Sequence, residues 1–271
     1  MIKSKLLLYP VIAVLLTLAG CSDYYHLTKQ KSTATPAEKK EAGMKYYEEG
    51  DYIKAITLFE DVMNHYKFTS EGEDLYFKYC LANYELGDFY LAGYYFKRFI
   101  RRYPTSKHTE EALFLSSLCS VSNSPEYSLD QTETYNALDQ LQIFIDQYPN
   151  SSRIDTCNQI MDKLRSKLEL KQFEYARLFY QTEFYKSAVV ALEQTLLKYP
   201  ESVYKEEIMY LLVKSNFELA INSVDEKKLD RLNNTIKSYR TFVGEFPESK
   251  KLRELESINK RTETEIEGIK K

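Results

Sequence analysis

Four short phrases punctuate the chain at nearly even intervals: Tyr103-Pro104-Thr105-Ser106, Tyr148-Pro149-Asn150-Ser151, Tyr199-Pro200-Glu201-Ser202 and Phe246-Pro247-Glu248-Ser249. Their prolines stand 45, 51 and 47 residues apart. Each phrase closes an amphipathic run, and proline ends a helix because it lacks an amide donor and its ring clashes with the preceding turn. The serine two residues later is placed to cap the next helix. A period of this size indicates stacked helical units, each contacting only its neighbours. With 8 Gly and 7 Pro in 271 residues, the chain lacks the frequent turn residues of a β-sandwich or barrel.

Counting back from each proline gives a second, internal register. In one unit Gly87-Asp88-Phe89 makes a turn, Ala92 follows, and Phe96 and Phe99 come four and seven residues later. Ala55 and Phe59 hold those places after Gly50-Asp51-Tyr52, with Lys67 where a proline would stand. Ala137, Leu141 and Phe144 repeat the pattern, as do Tyr185, Ala188 and Leu192. The last unit is degenerate, with Thr235, Tyr239 and Phe242. A small residue lets two helix backbones approach where they cross, and the large residue four positions on fills the groove beside it. Glycine at the turn accepts the left-handed conformation that closes the first helix. This spacing resembles the tetratricopeptide repeat. The expected fold is all-α, a right-handed solenoid of five tetratricopeptide-like helix pairs.

Insertions and ends complete the plan. A polar loop, SNSPEYSLDQ, separates the helices of the third unit, and Arg153 to Leu170 adds a helical run ahead of the fourth. After Ser249, an apolar stripe of Leu252, Leu255, Ile258, Ile266 and Ile269 reads as a capping helix or tail over 250–271.

The N-terminus points to an envelope protein. Lys3 and Lys5 precede an apolar run from Leu6 to Ala19, which is shorter than the roughly 20 residues that cross a bilayer. It ends in Leu18-Ala19-Gly20-Cys21, similar to the bacterial lipobox, so residues 1–20 are expected to be a signal peptide and Cys21 the lipidated residue. Several acyl chains make a lasting membrane anchor. Residues 21–36 carry no apolar period and read as a tether, with repeats over 37–249. Ser22 in the second mature position, without a following acidic cluster, resembles the sorting pattern for the periplasmic face of the outer membrane.

A net charge of −3 gives no basis for bulk phosphate binding, so no nucleic-acid partner is expected. No GxSxG, P-loop, GxGxxG or HExxH occurs, and no catalytic residue, metal site or cofactor is assigned. Cys80, Cys119 and Cys157 read as small buried thiols at helix interfaces.

A lipobox, a polar tether and five helix pairs together resemble the BamD family of the outer-membrane β-barrel assembly machinery. Gly87 to Ala92, Lys97 to Pro104, and Tyr127 to Thr132 are the stretches most similar to it, and the tyrosine-rich, tryptophan-free composition suggests a Bacteroidota-type member. The resemblance implies a non-enzymatic, lipid-anchored scaffold of the outer membrane facing the periplasm. It implies two partners: a BamA-like Omp85 barrel protein held by the C-terminal repeats, and unfolded outer-membrane proteins recognised by the N-terminal ones. The alternatives are another periplasmic tetratricopeptide adaptor of envelope maintenance or division, and a glycan-binding lipoprotein.

In tetratricopeptide units the first helix of each pair lines the groove. Counting from Gly50 and Gly87, the candidate peptide-binding residues are Lys40, Met44 and Tyr47 in the first unit and Phe77, Leu81 and Tyr84 in the second. Tyr46, Ala55 and Phe59 suffice to pack the first unit, which leaves Tyr47 to face outward. Methionine and tyrosine offer an adaptable apolar surface for an extended segment ending in an aromatic residue.

Overall fold

Helices begin and end where the punctuation places them. The computed structural model describes residues 24–29, 32–67 and 69–269. Eleven helices of a dozen residues or more lie among the described residues: α1 (Pro36–Glu48), α2 (Tyr52–Met63), α3 (Ser70–Glu85), α4 (Phe89–Arg102), α5 (Thr109–Ser122), α6 (Thr132–Gln147), α7 (Ile154–Gln181), α8 (Tyr185–Lys198), α9 (Lys205–Ile221), α10 (Asp225–Glu245) and α11 (Leu252–Ile269). No strand occurs among the described residues, and the fold is all-α. The run from Arg153 to Leu170 joins the fourth unit's own first helix in the single 28-residue α7. Residues 1–20 and Cys21 lie outside the described residues.

The turns obey the expected chemistry. Gly50 and Gly87 sit at φ 78° and 83°, where a side chain would be strained. Asp51 and Asp88 follow them and accept the amides of Lys54 and Leu91, capping α2 and α4. The four aromatic closers share one geometry: Tyr103, Tyr148, Tyr199 and Phe246 have φ between −127° and −133° and ψ between 62° and 71°. Proline next in line disfavours the helical ψ, so the chain leaves the helix there. Each closer still donates its amide to the carbonyl four residues back.

The closing serines differ from the expectation. His108 and Tyr204 stand at the N-cap positions of α5 and α9, and neither makes a side-chain cap. Ser106, two residues ahead of His108, accepts that residue's amide at 3.1 Å in a local turn. Its hydroxyl then donates back to Glu73 on α3. Ser151, Ser202 and Ser249 do the same toward Glu110, Glu169 and Glu206, each in the preceding helix pair. Each serine thus fastens the end of one pair to the first helix of that pair.

The chain divides into two compact units. One runs through Pro125 and includes Gln131–Asn158; the other is Gln159 onward with Glu126–Asp130. In the first, α1 to α5 each pack against the next helix in sequence. Ala55, Ala92 and Ala137 are fully buried, as are Phe59, Phe96 and Leu141 four residues on. In the second, α8 to α11 also pack serially, and α11 touches α9 as well. Ala188 and Leu192 keep the register there, fully buried. Thr235 fills the fifth small-residue place with no exposure, its hydroxyl satisfied by the Arg231 carbonyl at 3.1 Å. α11 lays Leu255 and Ile258 on Phe217 and Phe242.

Candidate functional site

The first helices of the first unit carry the site. A cavity of about 580 Å³ opens between α1, α3 and the start of α5, lined by Met44, Leu75, Phe77 and Leu81 among charged side chains. Four of the six candidate residues line it, namely Lys40, Met44, Phe77 and Leu81, and Tyr47 and Tyr84 do not.

Each has a definite setting. Lys40 donates to Glu71 and lies 4.8 Å from the centre of the Tyr66 ring; the hydrogen bond raises its pKa above the ordinary lysine value. Met44 is half-buried beside Ala55 and Phe59. Phe77 is 4% exposed, so most of its ring belongs to the core, stacked on His108 with centroids 4.3 Å apart. Leu81 packs on the same core. Tyr47 does not project freely. Tyr52, the first residue of α2, meets it edge-on at 5.6 Å, and the ring rests on the Ala55–Phe59 cluster. Tyr84 lies edge-on to Phe89 and Phe96. Burial raises both phenols above the usual tyrosine pKa.

The charges of the cavity pair off with one remainder. Glu71 takes Lys40. Asp74 takes His108 at 2.9 Å and Lys107 at 3.3 Å, and these hydrogen bonds, His108 first, hold its carboxyl below the ordinary aspartate range. Glu111 has Arg153 at 4.0 Å. Lys78 has no carboxylate at ion-pair distance among the described residues, and its ammonium sits over the Tyr47 ring at 4.6 Å. An apolar floor with one unmatched cation suits a ligand that brings an apolar side chain and a negative charge together.

Sequence reasoning missed Glu71, Asp74, Leu75, Lys78, Lys107, His108 and Glu111. Asp74 and Lys78 were within reach of it, because they stand three positions before Phe77 and Leu81 and so border the same helix face. Lys107 and His108 come from the next unit, beyond the Pro104 closure, and only the packing of α5 against its neighbours brings them in.

The family model described as the outer membrane lipoprotein YfiO matches residues 33–183, more than half of the chain and the whole stretch from α1 through α7. The chain belongs to this family. Among curated relatives, the putative outer membrane protein assembly factor BamD of Aquifex aeolicus is 23% identical over 233 residues, covering 85% of this chain and 76% of that protein. The outer membrane protein assembly factor BamD of Caulobacter vibrioides is 19% identical over 217 residues, covering 78% of this chain and 70% of that one. Every lining residue of the cavity falls within the span matched by the YfiO model.

Proposed function

We propose that this family member is an outer-membrane assembly factor, anchored through an acylated Cys21 and facing the periplasm, which captures unfolded outer-membrane proteins in the cavity of its first unit. By the same resemblance its C-terminal helix pairs would hold a BamA-like Omp85 barrel. Family membership and the names of the two relatives support the general role. The observation that carries the substrate reading is the cavity itself: an apolar floor of Met44, Leu75, Phe77 and Leu81, with Lys78 left unmatched beside it. An extended peptide with an aromatic last residue and a free carboxylate meets both demands. Family membership supports the role of a scaffold rather than a catalyst.

Ordering a flexible chain opposes such binding, so affinity is expected to be modest. The test is a fluorescence-anisotropy titration of two labelled peptides that differ only in a free or an amidated C-terminus. The free acid is expected to bind about tenfold more tightly, or about 1.4 kcal/mol, and Lys78→Met to remove that difference while leaving the amide's affinity in place. If neither peptide binds saturably, the capture reading fails.

A further inference from the structure

Exposed apolar side chains in the first unit gather along one edge. The position two residues before the packing alanine is Ile53, Tyr90 and Tyr135 in the three successive pairs, exposed by 63%, 73% and 50%. The equivalent places in the second unit are Lys186 and Asn233, so the repeat does not itself demand a large apolar residue there. Consecutive helices here are joined by short connections and pack on one another, which makes them antiparallel, so these three residues, in the first turn of α2, α4 and α6, come at the same ends of those helices. Leu86 at the α3 C-cap, with Leu91 and Tyr94 on α4, widens the stripe, all three exposed.

The chain enters at this same edge. The Tyr24 ring lies edge-on to Tyr46 at 5.7 Å, with the Lys54 ammonium 5.6 Å from its centre. Tyr46 is in the last turn of α1 and Lys54 in the first turn of α2, on either side of the Gly50 turn. Cys21 is three residues before Tyr24. Three residues span at most about 10 Å even when fully extended.

We propose that this edge of the first unit rests on the lipid bilayer, with Ile53, Tyr90 and Tyr135 at the headgroup level. The proposal rests on acylation of Cys21, which brings the bilayer surface within reach of the edge. Tyrosine suits that depth, because its ring is apolar and its hydroxyl stays wet. Charge is not the attraction. Asp51 and Asp88 are engaged in capping their helices, and exposed Glu49 and Glu85 share the edge with Lys54. The surface therefore fits an uncharged, zwitterionic lipid face.

The chain contains no tryptophan, so a single one introduced reports its own surroundings. Full-length lipidated protein carrying Tyr90→Trp is reconstituted into phosphatidylcholine–phosphatidylethanolamine vesicles, with and without brominated acyl chains. Ile143→Trp, on the same helix as Tyr135 but about 12 Å further along its axis, serves as the control. Flotation scores anchoring independently. The expected result is that both variants float and that Tyr90→Trp loses about half its emission in brominated vesicles while Ile143→Trp keeps it. Flotation with equal emission changes, or with none, overturns the bilayer edge and assigns the stripe to a protein partner. Failure of the lipidated chain to float overturns the anchor, and the orientation with it.

Discussion

The hydroxyl of Ser151 donates to the carboxylate of Glu110 at 2.7 Å, across 41 residues of sequence. That serine also accepts the amide of Arg153 at 3.2 Å, so one side chain both shapes the turn and ties it to α5. Ser151→Ala is expected to cost about 1 kcal/mol, the net worth of an ordinary protein hydrogen bond, because solvent around Glu110 offsets the gain from its charge. Urea unfolding measures it as a lower midpoint at constant slope. An unchanged midpoint would mean that the contact contributes nothing.

Gly72 is needed for space. A Cβ added there would lie 1.8 Å from the carbonyl oxygen of Tyr66, a backbone atom that cannot swing aside. Gly72→Ala must therefore push the start of α3 away from the end of α2, opening the Leu75 and Tyr79 contacts with Phe59 and Val62. The expected loss is at least about 3 kcal/mol, at the upper end of overpacking costs. Gly244, where an added Cβ meets nothing within 4 Å, provides the contrast: Gly244→Ala is expected to be neutral or mildly stabilising within its helix. Equal thermal midpoints for the two variants would contradict this.

The terminal helix carries a pH-dependent tie. Glu254 of α11 accepts from Lys214 at 2.8 Å and from Tyr210 at 2.7 Å, both on α9. These hydrogen bonds, Lys214's first, hold its carboxyl below the ordinary glutamate range. A carboxyl whose folded pKa is depressed stabilises the fold above its unfolded pKa and loses that contribution as the pH falls through the folded value. The native chain is therefore expected to be more stable than Glu254→Gln at pH 7. The gap should narrow below about pH 4.5 and close once both states are protonated. Parallel thermal melts from pH 7 to pH 3 check this, and a gap that widens toward acid would reverse the sign.

The repeat was legible in the sequence because helix register is a local matter. Ala92, Phe96 and Phe99 announce a buried face by spacing alone, and Gly87 and Pro104 mark its limits. The serines were legible as turn residues, but their role was not, since the Glu partner of Ser106 lies 33 residues back and only packing joins them. The cavity was half legible for the same reason. Met44 and Leu81 follow from helix phase, whereas the placement of Tyr47 depends on Tyr52 meeting its ring across the α1–α2 turn. The unmatched charge of Lys78 appears only when every acid around it is assigned a partner. Thr235 shows the limit of residue-type rules: a hydroxyl that bonds to the carbonyl one turn back serves as a small residue.

The proposed cargo of the first unit's cavity is an unfolded outer-membrane protein. A photo-crosslinking amino acid placed at Met44, on the cavity wall, tests this in living cells, with exposed Leu197 on α8 as the control site. Adducts are expected between the Met44 probe and newly made outer-membrane barrel chains, reduced several-fold on Lys78→Met and absent from the Leu197 probe. Barrel adducts of equal yield at both sites, or none at Met44, would contradict this.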